Sequence, residues 1–588
     1  MISRRDLKLI AALALALAAL GGCEETVPDR PAVESARIEL ARGDFLAAQV
    51  FLDRALDEGT PREELAALLG EAALLAGNLQ VAREWLAPGE FSEQTRARGF
   101  RLLGRLEMAE GNLPAAGAAF DQSYRVRPDN AELWVDIGRL RYRGGEQLEA
   151  IEAAERALAI DPDNGEALRF RGQLARDAEG LIKGAELLGR ALESQPDNID
   201  LRVEYAATLG DAGRADEALQ VLREEDGSAA ATPRGLFVQA VIAARGGQFR
   251  LSRNLLTKSG LQRDDLASAH LLSAIIDLQK GNYASAAQAL DRLYTRQPDN
   301  ARIRDLLAFA LSRDGGEREL VYRFATTASS GSGSAYLRTL VGRAYEALGN
   351  RERAAMFLDL AAIGQANLSV LPSMTPYELL AISGSGNGGG LETRDYVRSA
   401  IAGREAVAAV RRARDFAKRF PGSADAQAIL GDAEFARGNK RAAREAYARS
   451  ARVRRPWPLA LRLAGAQDSP ESARELLEDY VRDNPMNGEA AAILADALAA
   501  EGDWERAIRL LDHSMGLGMV RVPWVLAARS VGALQLDDRE TALDFALAAH
   551  DLQPMNPLAI SALIAALPER EEAARRELEA KLRSLGTG

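Results

Sequence analysis

Cysteine and histidine are almost missing from this sequence: its 588 residues hold 1 Cys and 3 His. An internal disulfide is therefore excluded, and a Cys/His metal site has very little to build on. Aromatic residues make up 5%. Positive charge is not in excess either, with 74 Lys and Arg against 85 Asp and Glu and a net charge of -11, so a general attraction to nucleic acid is not expected. No GxxxxGKS/T phosphate loop, GxSxG elbow or HExxH pair occurs. After residue 23 no stretch of eighteen or so apolar residues appears, which excludes a spanning helix there. Hydrophobic residues at 47% and charged residues at 27% are those of a folded chain, not a disordered one.

The N-terminus carries an address. Arg4, Arg5 and Lys8 precede the apolar run from Leu9 to Leu20, a pattern of export signals and too short for a permanent membrane helix. The run ends in Leu20-Gly21-Gly22-Cys23, and that cysteine is the sole one in the chain. The segment resembles the lipobox of bacterial lipoproteins. The resemblance implies removal of residues 1–22, lipid on Cys23, and a periplasmic body held by acyl chains alone. Glu24 in place of aspartate favours the outer membrane by the enteric sorting rule. Ser3-Arg4-Arg5-Asp6-Leu7-Lys8 also looks like a twin-arginine motif, and a plain basic n-region fits as well, so the export route stays open.

The rest of the chain is periodic. Glycine stands at Gly43, Gly77, Gly111, Gly145, Gly213, Gly247, Gly281, Gly315 and Gly349, in steps of 34, missing only at Glu179, where Gly180 comes one place late. With 51 glycines in 588 residues, chance does not produce such a ladder. A second ladder of small residues runs through Gly70, Gly104, Gly138, Gly172, Ala206, Ala240, Ala274, Ala308 and Gly342, and a third through Ala48, Ala82, Ala116, Ala150, Gly184, Ala218, Ser252, Ala286 and Ala354. Pro128, Pro162, Pro196 and Pro298 close four units. Each unit is expected to be two short amphipathic helices, approaching closely at the second ladder and joined by a turn at the first, where glycine takes the left-handed conformation.

Trp134, Ile137, Gly138, Gly145, Ala150, Ala157 and Pro162, and likewise Phe100, Leu103, Gly104, Gly111, Ala116, Phe120 and Pro128, follow in order the pattern of the tetratricopeptide repeat, which the chain resembles. The resemblance implies an all-α fold, a right-handed superhelical solenoid of helix-turn-helix repeats. The expected division is a signal peptide at 1–22, a lipidated tether at 23–31, and a first array at 32–368. A Gly/Ser/Pro linker follows at 369–390, then a second array at 391–556 with a shortened unit near 458–486, and capping helices at 557–588. Gly384-x-Gly386-x-x-Gly389 matches a dinucleotide fingerprint in form, but it lies in the Gly/Ser tract with no βαβ unit and reads as linker.

His270, His513 and His550 fall on different repeats and read as ordinary helix residues. No catalytic residue, metal ligand or cofactor other than the lipid is expected, and the chain is not expected to be an enzyme. In tetratricopeptide superhelices the first helix of each repeat lines the concave groove. By the repeat frame its inner positions here include Arg98, Arg101, Arg105, Arg139, Tyr142, Arg143, Arg169 and Arg176. These suit capture of an acidic peptide, a C-terminus or an acidic polysaccharide; reversing Arg101, Arg105, Arg139 and Arg169 to glutamate is then expected to abolish capture and leave the fold intact. The other reading is that they pair with Glu107, Glu132, Asp136 and Glu166 and merely solubilise the helices.

Architecture and address together resemble the periplasmic tetratricopeptide lipoproteins of exopolysaccharide secretion, including those accompanying PEP-CTERM sorting. The resemblance implies a scaffold for cell-envelope proteins, among them an outer-membrane exporter. An assembly factor for outer-membrane proteins, or an adaptor for peptidoglycan enzymes, is the alternative.

Overall fold

The computed structural model describes residues 31–224, 226–330, 333–363 and 390–585. The signal segment, Cys23 and nearly all of the 369–390 linker lie outside the described residues, as do residues 586–588. Among the described residues there are 33 α-helices, one 3-10 turn at Met519–Arg521, and no strand.

Helix starts are written in short sequence signals. Each Pro-Asp-Asn triplet ends one unit and caps the next helix: the Asn130 side chain accepts the Leu133 N–H at 2.7 Å, Asn164 that of Ala167 at 3.0 Å and Asn198 that of Leu201 at 3.0 Å. Proline cannot continue the preceding helix, and asparagine satisfies an N–H that the new helix leaves unpaired. Between the two helices of a unit the glycine ladder does what its spacing implied. All nine glycines have φ between +72° and +85°, and Gly180 has φ +108°. In the later repeats the same position is held by Gly438 and Gly502, but also by Arg404 (φ +62°) and Asp537 (φ +58°), which no glycine search detects.

The second ladder explains close packing. A Cβ built on Gly70 would stand 2.4 Å from Leu86, on Gly104 2.3 Å from Phe120, on Gly342 2.9 Å from Leu358, and on Gly431 2.4 Å from Tyr447. In each unit a large side chain on the second helix thus fills the space vacated by glycine on the first. Leu86, Phe120 and Tyr447 are consequently fully buried, each worth about 1.5–3 kcal/mol of apolar transfer.

Two compact units divide between Gly144 and Gly145. In the first, the hairpins Ala32–Arg42 with Phe45–Asp57, Arg62–Leu75 with Leu79–Leu86 and Arg96–Ala109 with Leu113–Val126 stack in order and end on Ala131–Arg143. Successive first helices also touch one another, so they share one continuous face.

The second unit contains two runs of hairpins, Gln147–Ile160 to Arg351–Ile363 and Gly390–Ala402 to Arg539–Leu552, with Pro557–Ala566 and Glu572–Leu585 at the end. Pro557–Ala566 buries Ile560 and Leu563, whereas Glu572–Leu585 buries no residue, as a polar cap requires. The two runs lie side by side along a seam. Leu148 N–H donates to Gly422 O at 3.2 Å, and Arg455 N–H to Asp177 O at 2.8 Å. Further along, Arg343 donates to Asp551 O at 3.0 Å, and the Gln553 amide to Thr339 Oγ1 at 2.8 Å. Arg521 stacks over Phe309 at 4.2 Å. The late glycine of the ladder belongs to this seam, because a Cβ on Gly180 would come within 2.7 Å of Asp483. Asp483 ends the helix Pro470–Asp483 of the shortened unit.

Candidate functional site

The arginine-bearing face of the first helices is built by the repeat itself. Side chains one turn apart on a first helix reach the next first helix, so contacts recur at nearly one repeat of sequence separation. Arg101 Nη1 donates to Asp136 at 3.2 Å, Arg143 Nη1 to Met108 O at 2.8 Å, and Arg169 Nε to Glu204 at 2.9 Å. Arg245 repeats the arrangement with Gly210 O at 2.7 Å.

Most of the eight candidate groove residues are therefore engaged within the protein. Arg98 holds Glu71 through Nε at 2.7 Å. Arg101 is 8% exposed and bridges Glu132 and Asp136. Arg139 stands 3.7 Å from the same Asp136. Arg105 makes no hydrogen bond but lies in the field of Asp136. Tyr142 is exposed, and Arg176 is half-buried with its Cβ against Gly184. Arg169 and Arg176 belong to the unit after Gly144, the other six to the unit before it.

Asp136 is the centre of the first cluster. Burial pushes its carboxyl above the usual carboxylate range, against the opposing pull of Arg101, Arg105 and Arg139. A pair so enclosed is structural. The expectation that reversing Arg101 leaves the fold intact is overturned by this burial: a glutamate there would place two carboxylates against one another with almost no water. Of the four acids considered as partners, Glu132 and Asp136 do hold Arg101, while Glu107 is taken by Arg83 at 2.9 Å.

Sequence reading passed over a second cluster, on the first helices of the later repeats. Arg398 lies on Gly390–Ala402, one repeat before Asp432 on Ala424–Ala436, and so at the position that Arg105 and Arg139 occupy in theirs. Arg462 Nη1 donates to both oxygens of Asp432 at 2.6 Å, and Tyr447 OH donates to the same carboxylate at 2.8 Å. Arg394 is held by Asp395 at 3.0 Å. The register signal was present in the sequence, but the broken phase after residue 368 concealed it.

Other chemistry is dispersed. His270 meets Asp265 at 3.1 Å, His513 meets Pro485 O at 2.7 Å, and His550 has its Nε2 buried without a partner. Burial, then the Lys581 charge, pushes the His550 pKa down. One cleft of about 550 Å³ opens beside Gly213, lined by Leu219, Ile242, Leu251 and Leu255 with Met486 from the later repeats. Among the described residues no group of three His, Cys, Asp or Glu is placed to hold a metal ion, and no helix is long and apolar enough to cross a membrane.

A family model described as tetratricopeptide repeat matches residues 101–165, 237–301, 397–458 and 459–513. Those segments carry tetratricopeptide repeats. Among curated proteins none matches. The crystal structure of the APC/C hetero-tetramer Cut9–Hcn1 aligns at 14% identity over 91% of this chain and 95% of that one, with a TM-score of 0.26. A tetratricopeptide repeat protein from Parabacteroides merdae aligns at 16% identity over 46% of this chain and 94% of its own, with a TM-score of 0.24. The family match agrees with the left-handed glycine turns and the close helix packing at Gly104 and Gly431. Stacked tetratricopeptide hairpins offer a broad helical surface of the kind that other proteins bind.

Proposed function

We propose that this tetratricopeptide protein is a non-catalytic scaffold of the bacterial periplasm, anchored by lipid on Cys23 to the outer membrane, and that it joins proteins of exopolysaccharide biosynthesis or export. The observation carrying the address is the position of the sole cysteine, directly after Leu20-Gly21-Gly22 and an export-type apolar run. Supporting the scaffold role are the helical hairpins, whose successive first helices touch and present a shared face of the kind that partner proteins bind.

In-cell crosslinking of the membrane-associated protein, followed by mass spectrometry, tests the reading. Recovery of an outer-membrane exporter or polysaccharide synthases is expected. Recovery of barrel-assembly or peptidoglycan enzymes instead would transfer the scaffold to the alternative pathway. Cys23→Ser is expected to release the protein from the membrane fraction or halt it as precursor; acylated, membrane-bound protein from that variant would remove the anchor from the proposal.

A further inference from the structure

We propose that the end of the later run is latched onto the first-helix face of helices Ala301–Arg313 and Ala335–Ala347, and that acid releases this latch through His550. Such a device needs neither the lipid anchor nor the polysaccharide pathway.

The contact fills one stretch of that face. Phe309 and Arg343 stand 34 residues apart, at the repeat position that Arg105 and Arg139 hold earlier in the chain. Here the position is occupied from within. Arg521 stacks over Phe309 at 4.2 Å and lies beside the Tyr336 hydroxyl, and Arg343 donates to Asp551 O at 3.0 Å. One turn before Arg343, Thr339 Oγ1 accepts the Gln553 amide at 2.8 Å, and both of these residues are buried. The Asn556 amide donates in turn to Gln553 Oε1 at 2.8 Å. While these bonds stand, the two repeats cannot offer this part of their face to another protein.

His550 directly precedes Asp551 and brings a titratable group to this contact. Its Nε2 is buried without a hydrogen-bond partner. Leu578 of the terminal helix Glu572–Leu585 packs on the cluster that contains Ala546 and Ala549, which puts Lys581, one turn further on, on the same side. The charged groups facing the imidazole are Lys581 from the terminal helix, Arg343 from Ala335–Ala347 and Asp551 from its own helix. Arg343 is also held by Glu346 at 2.8 Å, and Glu577 lies near Lys581. Of the other two packed helices, Pro557–Ala566 carries no charge, and Pro523–Gln535 carries only Arg529, which Asp512 holds at 2.6 Å. An imidazolium donates from both ring nitrogens, so protonation leaves the buried Nε2–H unanswered and sets a third cation beside two. Burial and the Lys581 charge hold His550 below its ordinary pKa of about 6.5 in the closed contact. Released, the imidazole regains water and that ordinary value. The open form thus binds the proton more readily, and closure weakens as pH falls below about 6.5, by at most about tenfold per unit. The other two histidines do not oppose closure in acid: His270 has Asp265 beside it, and His513 already donates to Pro485 O.

Energy transfer between fluorophores on the full chain reads the latch. The labels go on the exposed positions Arg318→Cys and Glu540→Cys, with Cys23→Ser so that no other thiol is present. In this parent chain transfer is expected to be steady above about pH 7 and to change below about pH 6.5, with the closed-to-open ratio falling by up to about tenfold per unit. His550→Leu is expected to stay closed down to about pH 5. Lys581→Met is expected to move the opening midpoint to lower pH, because one of the cations that oppose the proton is gone. Arg521→Ala combined with Gln553→Ala is expected to give the open signal at every pH. Transfer that does not respond to pH in the parent, or that responds identically in His550→Leu, overturns the trigger. Should His550→Leu fail to fold, Lys581→Met decides in its place, and an unmoved midpoint overturns the trigger. A signal unaffected by the Arg521 and Gln553 double change overturns the latch itself. Failure here leaves the envelope-scaffold reading to its own crosslinking test.

Discussion

Two clusters built on the same repeat position behave differently. Before Gly144, Arg101, Arg105 and Arg139 surround Asp136, whose side chain is 3% exposed, and Arg101 is itself buried. In the later repeats Arg394, Arg398 and Arg462 accompany Asp395 and Asp432, whose side chains are 30% and 17% exposed. With Glu132, which also holds Arg101, counted in the first, each cluster has three arginines and two acids. In the first, the acid is sealed and the arginines serve it; in the second, Arg462 and the Tyr447 hydroxyl hold the more open Asp432. Residue type and spacing therefore mark where an arginine face runs, whereas burial of the acid decides how far that face is committed to the fold.

The largest expected effect separates the two directly. Arg101→Ala leaves Asp136 buried without its closest cation and is expected to cost about 3–5 kcal/mol, whereas Arg398→Ala is expected to cost little or to stabilise. Urea denaturation of each variant measures the contrast, and similar losses for both would erase it. The double change Arg101→Met with Asp136→Leu should recover most of the first loss, since apolar packing can replace a buried pair.

A smaller effect is expected one residue away. Gly104 and Gly431 precede Arg105 and Asp432, and each receives an aromatic ring from its second helix. Alanine at either is expected to cost about 1–3 kcal/mol by overpacking against Phe120 or Tyr447. Thermal melts showing no change at Gly431 alone would mean that the later repeats pack more loosely than the earlier ones.

The smallest effect concerns the turns that follow. Gly111 ends the helix of Arg105, but Arg404 stands at the matching turn after Arg398 with φ +62°. Arg404→Gly is expected to stabilise by about 1 kcal/mol, because a side chain in the left-handed region is strained. Denaturation midpoints would show it, and a destabilised variant would mean that the Arg404 side chain makes up for its backbone.

Much of this was legible in advance for a local reason. Gly43 to Gly349 were found because left-handed turns tolerate little else, and Gly70 and Gly104 because helix contact leaves no room for a Cβ. Arg404 and Asp537 escaped since their turns accept the strain. Gly180 looked like a slip in the ladder, yet its displacement by one residue fits the approach of Asp483 across the seam.

The sequence by itself thus determined the repeat, its turns, its helix caps and the candidate address at Cys23, all of which depend on residues within one unit or one short segment. Tertiary structure alone decided that the later repeats pack back along the earlier ones from Leu148 to Gln553, that Arg101 is a buried support, and that Arg462 holds Asp432. Those outcomes depend on which charges meet across separate helices and how much water remains between them, and spacing along the chain contains neither.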